Sequence, residues 1–131
     1  MELQFFTDPL QTPNSREDVR LKQLGLYVYP DRRRVAVGFD LTPFLERPSL
    51  EVTITNEKGE EAGSLNVIET LEANFSLVMH LRDQTPTQQY HVAATVYYVE
   101  PGEPREVVHE IEAPLDITQP GDQTYEVATD A

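Results

Sequence analysis

Apolar and polar residues alternate with a period of two along most of this chain. In "RVAVGFDL" (34–41), Val35, Val37, Phe39 and Leu41 fall on one side of an extended strand. "LEVTITN" (50–56) does the same through Leu50, Val52 and Ile54, and "FSLVMHLR" (75–82) through Phe75, Leu77, Met79 and Leu81. "SLNVIE" (64–69) is a weaker run through Leu65 and Val67, with Ile68 joining the other face if the phase changes. "VRLKQLGLYVY" (19–29) is apolar but slips phase between Leu21 and Leu24, which predicts a bulge near Gln23 or Gly25. "REVVHEIEAPLDI" (105–117) closes the series through Val107, Ile111, Leu115 and Ile117. Turn residues separate the runs: "PDRR", "TPFLERPS", "NEKGEEAG" with Gly59 suited to a positive φ, "DQTPTQ" and "PGEP".

With "TQQYHVAATVYYV" (87–99) this makes seven short strands and no long helical period. Such spacing predicts an all-β fold, a single antiparallel seven-stranded β-sandwich, with a closed barrel as the alternative. Residues 1–17 read as an extended N-terminal arm, 18–118 as the sandwich domain and 119–131 as a polar, frayed C-terminal tail. There is no internal repeat.

The segment "LVMHLRDQTPTQQYHVAATVYYV" (77–99) resembles the E–F corner of an immunoglobulin-like or fibronectin type III-like sandwich. Leu81 stands where a leucine ends strand E, and Tyr90 where a tyrosine opens strand F. The resemblance implies that the Tyr90 hydroxyl bonds back to the turn's backbone. It further implies an interaction or spacer module. The chain has no tryptophan and no cysteine, so the usual core indole and disulfide are missing, and Phe39 is expected in the indole's place.

Charge narrows the partners. The net charge is −13, and residues 48–131 carry sixteen acids against three bases. Such a chain repels phosphate backbones and anionic membranes, so neither nucleic acid nor a membrane is an expected partner. The lack of cysteine suits a reducing compartment, and no apolar run resembles a leader or a membrane span. These features read as a cytoplasmic protein.

The chain offers little for catalysis. His80 and His91 fall on outward phases, and His109 falls in phase with Val107 and Ile111. There is no Gly-Xaa-Ser-Xaa-Gly elbow and no glycine-rich phosphate loop. Glu110 and Glu112 share a wet strand face and read as an edge kept soluble, not as an acid/base pair. The acidic loops lack calcium-loop spacing, and Arg32, Arg33 and Arg34 read as neutralising the chain's own carboxylates. No enzyme activity, metal or cofactor is expected.

The candidate site is instead a sheet face. Ala93, Thr95, Tyr97 and Val99 point away from the core on the sixth strand and carry no charge. Flanking strands add Thr53, Thr55 and Val108, and acids rim the patch. A low-charge centre in a polar rim is how interfaces are built. Together with Phe5 and Phe6 of the arm, these residues are the expected contacts of a protein-interaction module that binds itself or another protein. An edge strand is a further route. The alternative is a small-ligand or carbohydrate module in which Tyr27, Tyr29, Tyr97 and Tyr98 form an aromatic platform.

Overall fold

A computed structural model describes residues 12–127. Seven main strands form, in chain order: β1 (Leu21–Val28), β2 (Arg34–Leu41), β3 (Ser49–Asn56), β4 (Glu61–Val67), β5 (Asn74–His80), β6 (Gln89–Tyr98) and β7 (Glu106–Asp116). Two short ones follow, β8 (Gly121–Asp122) and β9 (Tyr125–Glu126). One sheet has the order β5-β2-β1-β8, with β9 also on β1; the other is β4-β3-β6-β7. All these strand pairs are antiparallel.

The two inner faces meet in one core. Leu24, Leu26, Val28, Val35, Val37 and Phe39 from the first sheet oppose Leu50, Val52, Ile54, Val92, Ala94 and Val96 from the second. These are the alternating positions of the sequence, because a period of two sends one side of each strand inward. The phase slip in β1 is a register shift between Leu21 and Gln23. Gly59 has φ 79° in the β3–β4 hairpin, a left-handed geometry that glycine adopts without strain.

Three expectations differ from the structure. The polar tail is not loose through residue 127: β8 and β9 extend the first sheet along β1. Leu77 is in the inward phase but 42% exposed, since β5 is an edge strand that the second sheet does not fully cover. Val107 is 45% exposed, whereas Val108 and His109 turn inward. The cause is a bulge where Val96 pairs with His109 but Tyr97 pairs with Val107.

That bulge places His109 between the sheets, where its Nδ1 accepts the Leu21 N–H at 3.0 Å. Burial, with nearby Arg20, holds its pKa below the usual imidazole range. The corner after β5 is tied differently. The Tyr90 hydroxyl accepts the Thr87 N–H at 3.4 Å, as the resemblance implied, but donates to the Asp83 carboxylate at 2.7 Å.

Candidate functional site

On the outer face of the second sheet, Thr53 pairs with Ala93, Glu51 with Thr95 and Ser49 with Tyr97. Thr53, Thr55, Ala93 and Thr95 are half-buried there. Tyr97 is not an exposed anchor: only 2% of it meets solvent. Its ring lies across β3 and its hydroxyl donates to Asn66 Oδ1 on β4 at 2.6 Å. The Arg105 guanidinium sits 3.8 Å above the ring and donates to Glu51 at 3.2 Å. At Tyr97 the uncharged stretch of β6 is thus covered by a side chain from its own β6–β7 loop. Val108 packs on the core and leaves the patch. Phe5 and Phe6 lie outside the described residues.

Nor do the four tyrosines make one platform. Tyr27 and Tyr29 meet edge-to-face at 5.4 Å near the first sheet, with Arg34 over Tyr29. Tyr98 lies on the other sheet, beneath Arg16.

Four exposed apolar residues gather at one end of the sandwich; the other exposed ones, Leu77, Val78, Val107 and Tyr125, lie on strands. Leu45 is 70% exposed in the β2–β3 connection, Ile68 60% and Leu71 78% in the β4–β5 connection, and Val99 49% after β6. Leu45, Ile68 and Val99 line a cleft of about 680 Å³, with Glu46, Glu69, Glu100 and Glu103 on its walls. Among the described residues no larger group of exposed aliphatics occurs on adjacent loops.

Local chemistry builds these loops rigidly. Ser49 Oγ accepts the Glu69 N–H at 3.0 Å, and the Thr70 N–H reaches Pro48 O at 2.9 Å. The buried Thr70 hydroxyl then bridges Glu72. Glu69 is held at φ 47°, a left-handed geometry costly for a residue with a Cβ. The surrounding bonds impose it, and the turn they make presents Ile68 and Leu71 to solvent on either side of Thr70.

Arg16 braces the opposite wall. It pairs with Glu46 in the β2–β3 connection, and with Glu100 and Glu106 across the β6–β7 hairpin at 3.1 and 3.2 Å. Its guanidinium also lies 4.7 Å over Tyr98, whose hydroxyl donates to Glu46 O at 2.9 Å. Bonding to three carboxylates raises the Arg16 pKa, and the same pairing lowers that of Glu46. Burial, reinforced by Glu46, pushes the Tyr98 phenol up to about 12. Two loops are locked together by one cation, and the remaining cleft acids, Glu69 and Glu103, have no cationic partner within ion-pair distance among the described residues.

The sequence points to Val99 and, with a change of phase, to Ile68, but not to Leu45 and Leu71. The signal for these two is that "FLERP" and "IETLEA" place them in turn segments beside acids, where no strand face packs them.

The described residues contain no group of three or more His, Cys, Asp or Glu arranged to hold a metal ion. No described helix is long and apolar enough to cross a membrane. No protein-family model matches the chain, and no curated protein matches it either.

Proposed function

We propose that this chain is a non-enzymatic protein-interaction module whose binding surface is the loop end around Leu45, Ile68, Leu71 and Val99. The observation that carries this reading is their exposure, 49% to 78%, on three connections tied by side-chain hydrogen bonds and by Arg16. Apolar side chains on a preorganised loop end lose little entropy on binding, and an acidic rim selects the partner. The partner is a protein segment with apolar anchors and a basic flank. A second copy of this chain would bring the same four glutamates, against Arg16 and Arg47, to the contact, which favours a basic partner over self-pairing. The reading retains the cytoplasmic location suggested by composition.

The fold type belongs to the same proposal. An immunoglobulin constant-type order would set the fourth strand in the first sheet. Here β4 pairs with β3, in the second. This supports the fibronectin type III-like half of the resemblance, in which the connections between β2–β3, β4–β5 and β6–β7 share one end.

Three immobilised baits test the site: the native chain, Ile68→Asp/Leu71→Asp, and Thr53→Lys/Thr95→Lys on the sheet face. Proteins held by the first and third but lost from the second, with retention falling as salt rises, are expected. Loss from the sheet-face bait alone would overturn the assignment and return the interface to β3 and β6.

A further inference from the structure

The sheet edges of this fold are not protected alike. An unpaired edge offers its N–H and C=O groups to any other strand, and charges, prolines, bulges or brevity normally blunt it. β7 carries Glu106, Glu110, Glu112 and Pro114, together with a bulge. β4 carries Glu61 and Gly63, with an irregular register opposite Ile54. β8 and β9 are two residues long each. β5, "NFSLVMH", has no acid, lysine, arginine or proline, and its register with β2 is unbroken. Among the described residues β5 pairs with β2 alone.

Backbone parity decides which groups face that edge. The Leu81 N–H donates to Arg33 O, and the Leu41 N–H to Ala73 O. Bonded and non-bonded pairs alternate along an antiparallel ladder, so Phe75, Leu77 and Met79 also turn their backbone groups towards β2. Ser76 and Val78 turn theirs towards the open edge. The side chains there are uncovered as well: Leu77, in the inward phase, is 42% exposed, and Val78, on the outer face, 47%. Between β5 and β4 runs a groove of about 360 Å³, whose walls include Leu65, Leu77 and Met79.

The charges at the ends of β5 indicate the occupant. Glu72 and Arg82 each stand one residue beyond the last bonded positions, Ala73 and Leu81. They are five residues from Leu77 on either side and share the phase of Val78. Both are exposed, and neither has an ion-pair partner among the described residues. We infer that two copies of this chain pair through β5, edge to edge and antiparallel, with Leu77 on the two-fold axis. In that register Ser76 of each copy opposes Val78 of the other, so the backbone groups that face the open edge bond to one another. Leu77 meets its own copy at a non-bonded pair, where side chains come closest. Glu72 of each copy meets Arg82 of the other, and the symmetry makes this ion pair twice. A shift of one residue would set bonded groups against unbonded ones, and a shift of two would part the charges. Residues 73–81 hold no Asp, Glu, Lys or Arg, so the repulsion of a chain at −13 is not concentrated here. Because the strands run oppositely, the loop ends around Ile68 lie at opposite ends of the pair.

Edge pairing alone buries less than a standard interface, so the dimer should be weak. Sedimentation equilibrium from micromolar to millimolar protein is expected to show monomer and dimer exchanging. Glu72→Arg and Arg82→Glu should each loosen the dimer about tenfold or more, since two ion pairs become two like-charge contacts. Their net charges move in opposite directions, so global repulsion does not account for a loss in both. An equimolar mixture of the two variants should regain native association, because a copy with two arginines then faces a copy with two glutamates. Far-UV circular dichroism should be native throughout, as both residues are exposed. A native chain that stays monomeric over the whole range would overturn the proposal. So would a dimer unchanged in both variants, or a mixture no more associated than its components.

Discussion

The Tyr90 hydroxyl donates 2.7 Å to a carboxylate, Asp83, that has no solvent-exposed side-chain surface. Two more groups share that carboxylate: Arg33 at 3.0 Å and the Asn56 amide at 2.9 Å. One acid therefore ties together the β1–β2 turn, the β3–β4 hairpin and the corner before β6. Tyr90→Phe should cost about 1–2 kcal/mol, because two donors remain on the carboxylate. Asp83→Ala should cost about 3–5 kcal/mol, the range for a broken buried pair, because the Arg33 side chain is 37% exposed but its Nη1 is already buried without a hydrogen-bond partner. Urea denaturation of both variants checks the order. Burial pushes the Asp83 pKa up, but bonds from Asn56, Tyr90 and Arg33 outweigh this and leave it lowered. A depressed carboxylate stabilises the fold above its ordinary value of 3.8 and stops doing so as pH falls through the folded pKa. Native protein should thus lose stability below about pH 3.8 more steeply than Asp83→Asn.

How far the sequence reached follows from the same residues. Tyr90 and Leu81 were legible because a corner is local: its parts lie within ten positions of one another. The core strands were legible because Val35, Val37, Phe39 and Leu41 leave one phase open. "VVH" at 107–109 fits either phase, and only pairing with β6 decides which residue the bulge turns in. The cover on Tyr97 was hidden for another reason. Arg105 sits in a turn among prolines and glutamates, and nothing local says that it folds back over a ring. Leu45 and Leu71 were passed over because period-two patterns say nothing about loops, and Ile68 was legible only as a change of strand phase.

His109 gives the fold a second pH response, in a separate window. Its neutral Nδ1 is the acceptor for Leu21, and its folded pKa is lowered by burial and by Arg20. In the unfolded chain it takes a proton near its ordinary value of 6.5. The unfolded state binds more protons below that value, so stability is full above about pH 6.5 and falls as the pH drops. Melting temperature measured between pH 5 and 8 should slope in the native protein and flatten in His109→Asn. An equal slope in both would show that the imidazole does not carry it.

Tyr97 separates fold from interface. Tyr97→Asp puts a charge where 2% of the residue meets solvent and deletes the ring beneath Arg105. The expected loss is about 3–5 kcal/mol, in the range of large-to-small aromatic truncations. Arg105→Ala removes only the lid, whose own side chain is 38% exposed, and should cost about 0.5–1 kcal/mol. Thermal melts distinguish the two. Near-equal effects would mean that the guanidinium, not the ring, holds the sheet face.

The loop end should behave in the opposite way. Ile68 and Leu71 are 60% and 78% exposed, so replacing them with aspartate removes almost no burial, and stability should stay within about 0.5 kcal/mol of native. A buried control makes the contrast: Val92→Ala, at 0% exposure, should cost about 1–3 kcal/mol. Binding should reverse the ranking. Each added carboxylate places a like charge beside Glu69 and removes an apolar anchor, so affinity for a basic partner should fall at least about tenfold per site, or 1.4 kcal/mol. Val92→Ala should leave affinity unchanged at temperatures where it stays folded. Titration calorimetry with the captured partner, read beside urea melts of the same variants, decides the matter. If affinity tracks stability across the three variants, partner capture depends on the fold as a whole and not on these loops.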